Sequence, residues 1–120
     1  MRQPLSCDNI RKREMSVFEK TINAFKDRDI DALENLHHED FIYVNDYSFS
    51  DRADHLAGLK VFIQDTDWHH KTRCVHEDAY TLVMRTKRID ENGHITVSNN
   101  VSQIKNGQYY RTMTVSSDLE

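Results

Sequence analysis

One proline, three glycines and two cysteines stand among 120 residues. So few helix and strand breakers predict long, regular elements. Cys7 and Cys74 lie far apart with no partners at metal-ligand spacing, which excludes a zinc ribbon or a disulfide-dense scaffold. A cytoplasmic, reducing home is the expectation. No run approaches the roughly 18 apolar residues of a membrane span, and the charged stretch Met1 to Met15 lacks the apolar centre of a secretory signal. An excess of basic charge is also missing. Sixteen Lys and Arg face twenty Asp and Glu, giving a formal net charge of −4, so a basic nucleic-acid-binding field is excluded. Neither a membrane nor a nucleic acid is an expected partner. What the chain does have is five Phe, five Tyr and one Trp, enough aromatic surface to argue for a packed globule.

Hydrophobic spacing divides the chain in two. Before Trp68 the period is helical. Met15, Phe18, Ile22 and Phe25 recur at three and four, which predicts a first helix from an Asp8 cap to about Lys26, with Met15 as an alternative start. Asp29 is placed to cap a short second helix carrying Ile30, Leu33 and Leu36, ending near His37-His38. The run Phe41-Ile42-Tyr43-Val44 reads as a strand ending near Asp46, and Ala53, Leu56, Leu59 and Ile63 mark a third helix ending near Asp65. After Trp68 the period becomes two. His69 to His76, Ala79 to Ile89, His94 to Lys105 and Gln108 to Val115 read as strands. Asp90-Glu91-Asn92-Gly93 and Asn106-Gly107 supply hairpin turns. Glu77 and Asp78 read as a solvent-facing turn.

Helices first and hairpins last give an α+β fold with a mostly antiparallel sheet. An eleven-residue strand is about 36 Å long, against a radius of gyration near 14 Å for a compact chain of this size. The sheet must therefore bend strongly around the three helices, forming a cone with an open mouth. Residues 15–117 are expected to form this single domain, with 1–14 an N-terminal extension or the start of the first helix. The convex face, carrying Thr81, Val83, Arg85 and Lys87, suits a homodimer interface.

The element order, the segment Lys26-Asp27-Arg28-Asp29-Ile30-Asp31-Ala32-Leu33 and the following Leu36-His37-His38-Glu39-Asp40-Phe41-Ile42-Tyr43-Val44 resemble nuclear transport factor 2-like proteins. Their SnoaL-like and ketosteroid-isomerase-like branch is the nearer one. The resemblance implies a cystatin-like cone, frequent dimers and a pocket between sheet and helices. Its members include isomerases, cyclases, dehydratases and non-catalytic binding or adaptor domains. An aspartate base on the first strand, implied by the same resemblance, falls at Asn45, and an amide cannot take that proton. A bulge would bring Asp46 to the position instead. The oxyanion tyrosine falls near Thr21 and the proton-donating acid near Val101 or Ser102. These three departures argue against steroid-isomerase chemistry.

The candidate pocket groups are accordingly neutral. Alternation from Phe41 and Tyr43 carries Asn45 inward. Ile95, Val97 and Val101 favour Asn99 inside, whereas Ile104 favours Asn100. Tyr43, Trp68, Tyr80 and Met84 would supply apolar walls. Asp46 and His76 are the weak catalytic candidates. The adjacent pairs His37-His38 and His69-His70 lack helical i, i+4 chelating geometry, so no metal and no cofactor is expected. The leading expectation is binding of a small hydrophobic or amphipathic ligand in the cone. The alternatives are an isomerase, cyclase or dehydratase working by acid/base chemistry, and a protein-interaction domain.

Overall fold

The protein is described here by a computed structural model covering residues 15–64 and 67–119. Helix α1 (Val17–Asp27) begins at Ser16, whose Oγ accepts from Glu19 N–H while the Glu19 carboxylate accepts from Ser16 N–H. This capping box satisfies two amide donors that the helix leaves unpaired. Ser16 is itself extended, so α1 starts here rather than at an Asp8 cap, and residue 8 and the expected 1–14 extension lie outside the described residues. Arg28 closes α1 in the left-handed region at φ 52°. One residue later Asp29 caps α2 (Ile30–Asn35), accepting Ala32 N–H at 3.1 Å. Strand β1 (His37–Val44) follows, then the short β2 (Phe49–Asp51). Asp51 then caps α3 (Arg52–Phe62).

The expected strand over His69 to His76 is corrected. Trp68–Lys71 forms one helical turn, α4, because Trp68 is drawn into the core against Phe25, and β3 runs only from Thr72 to Glu77. Three long strands complete the chain: β4 (Thr81–Ile89), β5 (Ile95–Lys105) and β6 (Gln108–Leu119). Asn106 and Gly107 both take positive φ in the two-residue turn between β5 and β6, as the twist of a hairpin requires.

The sheet order is β2-β1-β6-β5-β4-β3. Every pairing is antiparallel except β1 with β6. Register shifts in β1, in β3 and at the β5–β6 turn end bend the strands around the helices, and the radius of gyration is 14.4 Å. This is the α+β cone, helices on a mostly antiparallel sheet. Its core joins Phe25, Leu33, Phe41, Ile63, Trp68, Leu82 and Ile104. Two further expectations are corrected. Glu77 is buried rather than solvent-facing, because Phe18 N–H of α1 donates to its Oε2 at 3.2 Å. Cys74 is disulfide-bonded, which withdraws the argument from scarce cysteine to a reducing compartment. No helix among the described residues is long and apolar enough to cross a membrane.

Candidate functional site

Between the sheet and the helices lies an open cavity of about 340 Å³. Its roof is apolar: Phe25 of α1, Leu33 of α2, Leu59 and Phe62 of α3, and Trp68 of α4. Its floor is the concave face of β4, β5 and β6, and that face is largely polar. Thr86, Ser98, Asn100, Ser102, Thr112 and Thr114 line it. Hydroxyls meet across neighbouring strands, Ser102 with Thr112 at 2.7 Å and Thr72 with Thr86 at 2.7 Å. The Thr114 hydroxyl donates to Asn100 Oδ1. That leaves the Asn100 amide nitrogen, two donors, without a partner among the described residues.

Two histidines also line the cavity: His37, which the sequence reading set aside, and His55, which it did not single out. His37, at the start of β1, stacks on Tyr109 at 5.1 Å and meets Phe41 edge-on at 4.7 Å. Its Nδ1–H donates to Leu33 O at 2.6 Å, so Nε2 carries the lone pair. Burial pushes its pKa down to about 4, helped by the Arg52 charge and opposed by the Leu33 bond. Arg52 is held there by donating to the carbonyls of His37 and Glu34. His55 of α3 lies 5.3 Å from the His37 ring and stacks on Tyr43 at 4.6 Å. Burial and the neighbouring His37 lower its pKa to about 4 as well. At neutral pH both imidazoles are uncharged. Beside them the Thr21 hydroxyl donates to Val17 O, so in the 2.7 Å contact with Tyr109 the phenol is the donor. Burial raises the Tyr109 pKa, which keeps that phenol protonated.

Gly58, inside α3, also lines the cavity. A Cβ built there would meet nothing within 4 Å. The glycine therefore serves no close packing; this exposed position has open space beside the cavity.

Of the sequence candidates, Tyr43, Trp68, Met84 and Asn100 meet at this cavity. Asn45 does not. Its Oδ1 accepts from Tyr47 N–H, Ser48 N–H and Ser48 Oγ–H within 2.8–2.9 Å, and it is spent on the β1–β2 turn because β1 ends one residue earlier, at Val44. Asn99 points to the convex face, where its Oδ1 accepts from Arg85 Nε. Tyr80 is 74 % exposed, since Asp78 Oδ1 takes the Tyr80 and Thr81 N–H groups and turns the chain outward before β4. Asp46 lies exposed in the same turn as Asn45. His76 pairs with Asp78 at 2.9 Å on the exterior. Neither catalytic candidate reaches the cavity. No cluster of three His, Cys, Asp or Glu suited to a metal occurs among the described residues.

No family model matches the sequence, and no curated protein matches it either. Solved structures do. A nuclear transport factor 2-like protein of unknown function from Mesorhizobium loti superposes with a TM-score of 0.63 at 14% identity, covering 84% of this chain and 88% of its own. The chain has the nuclear transport factor 2-like fold. An epoxide hydrolase of the LEH-like type from M. tuberculosis shares it, with a TM-score of 0.63 at 12% identity over 84% of this chain and 80% of that one. So does a Kribbella flavida protein provisionally named a ketosteroid isomerase, at 0.59 and 15% over 87% and 77%. At such identities the nuclear transport factor 2-like likeness establishes the fold alone.

Proposed function

We propose that this chain binds a small, partly apolar molecule inside the cone. The supporting observation is the cavity itself, with an aromatic roof, a hydroxyl and amide floor and about 340 Å³ of space. Ligand sites typically fall at roughly 300–1,000 Å³ with apolar walls and a few placed polar groups. Asn100 offers donors and His37 Nε2 an acceptor, so a ligand with one hydrogen-bonding edge is matched on both counts. N-phenyl-1-naphthylamine, a neutral apolar fluorophore, tests this directly. It should brighten on titration with the protein and saturate at one site per chain; no saturable signal would count against the reading.

Acid/base turnover, the alternative, would have to run through His37 or His55 rather than Asp46 or His76. Imidazoles held near pKa 4 are weak bases at neutral pH. That favours binding over catalysis.

The convex face supports a homodimer over an adaptor surface. Val44, Met113, Val101 and Val83 align in one row across β1, β6, β5 and β4, with Val101 42 % and Met113 49 % exposed. A second copy covers such a row with an identical one. Sedimentation should give twice the 14.2 kDa chain mass, and Val101→Glu should return the chain to monomer. A wild-type protein that sediments only as monomer at micromolar concentration would refute the dimer.

A further inference from the structure

We propose that the cavity selects an anionic amphipathic ligand, an apolar ring system or chain ending in one carboxylate-like group, whose charge is held by Arg88 at the mouth. This rests on the binding function above and names the chemistry of its ligand. Leu82, Met84, Thr86 and Arg88 alternate onto the concave face of β4, and Arg88 is the last inward position before the strand ends at Ile89. It lies six residue steps from Leu82 at the inner end, about 20 Å along the strand. Its guanidinium stands 5.7 Å over the Phe62 ring, which fixes it against the roof, and it makes no ion pair with any described carboxylate. Among the described lining residues it is the one formal charge at neutral pH.

The distribution of the opposite sign points the same way. The sequence holds twenty Asp and Glu, yet none appears among the described residues of the lining. Further in, the polar groups are hydroxyls, the Asn100 amide and two neutral imidazoles, which bind neutral groups. A lone cation at the rim of a low-dielectric cleft attracts an anion and orients it outward. The apolar body then lies under Phe25, Leu59, Phe62 and Trp68.

The test compares isosteres. Naphthalene-2-carboxylate and naphthalene-2-carboxamide compete against bound N-phenyl-1-naphthylamine near neutral pH. The wild-type protein should prefer the carboxylate by about tenfold, less at high salt. Arg88→Gln should bring the two competitors within about twofold of each other, and Arg88→Lys should recover part of the preference. Equal competition by the two on the wild type, or a preference that survives Arg88→Gln, overturns the anion selectivity while leaving the pocket standing. Failure of the neutral fluorophore to bind wild-type protein removes the pocket, and the selectivity with it.

Discussion

Acidification from pH 6.5 to 4 is expected to unfold this protein through two side chains. His37 and His55 have folded pKa values lowered to about 4 from 6.5. The unfolded chain therefore binds more protons in that window, and stability falls with pH. Stability from the neutral imidazoles is complete above 6.5 and is lost as pH drops through 4. A shift of this size is worth about 3 kcal/mol per group, and the two are coupled because each charge opposes the other. Glu77 works in the opposite sense. Burial raises its pKa, so its penalty is felt above the usual 4.5 and relieved in acid. The histidine contribution is isolated by His55→Phe, which keeps the stack on Tyr43 and removes one titration. Its melting temperature should fall with acid about half as steeply as that of the wild type. An unchanged slope would show that His55 is not held neutral by the fold.

Phe41→Ala should cost about 3–5 kcal/mol, a large part of the roughly 5–15 kcal/mol that holds a domain together. Phe41 is 1 % exposed. It stands 4.7 Å from the His37 ring and 4.9 Å from that of His55. Truncation would open a void in the core and admit water beside both imidazoles. The variant should therefore lose stability at neutral pH and also lose acid sensitivity, because the two pKa values move back toward 6.5. Denaturant titrations at two pH values separate these effects. A loss below about 1.5 kcal/mol, typical of tolerated swaps, would mean that the site collapses around the deletion.

The fold was legible because local signals agreed with one another. The Asp29 cap, the Asn106-Gly107 hairpin and the change of period after Trp68 are each enforced by backbone chemistry within a few residues. The cavity was half legible. Tyr43, Trp68 and Met84 follow from apolar parity, but β5 inverts the usual rule. Its apolar residues Val97 and Val101 face the convex side while Ser98, Asn100 and Ser102 face inward. A cavity leaves room for polar groups that a packed core would not, so parity taken from Ile95, Val97 and Val101 favoured Asn99, and Ile104 alone pointed to Asn100. His37 was hidden because it was read as the end of the second helix; β1 begins at His37, two alternation steps before Phe41 and on the same face. His55 was hidden by the core stripe of Leu56 and Ile63, though His55, Leu59 and Phe62 form a second stripe at helical spacing. That second stripe was the available signal.

Filling the cavity tests its role most directly, and Gly58 allows this without disturbing the core. A side chain there enters open space, and replacing a mid-helix glycine should itself stabilise α3 by about 0.5–1 kcal/mol. Binding of N-phenyl-1-naphthylamine is measured on wild-type protein and on Gly58→Leu, each with its melting curve. The account predicts that Gly58→Leu melts at or above the wild-type temperature and binds the fluorophore at least about tenfold more weakly. A Gly58→Leu protein that melts normally and binds as tightly as the wild type would contradict it.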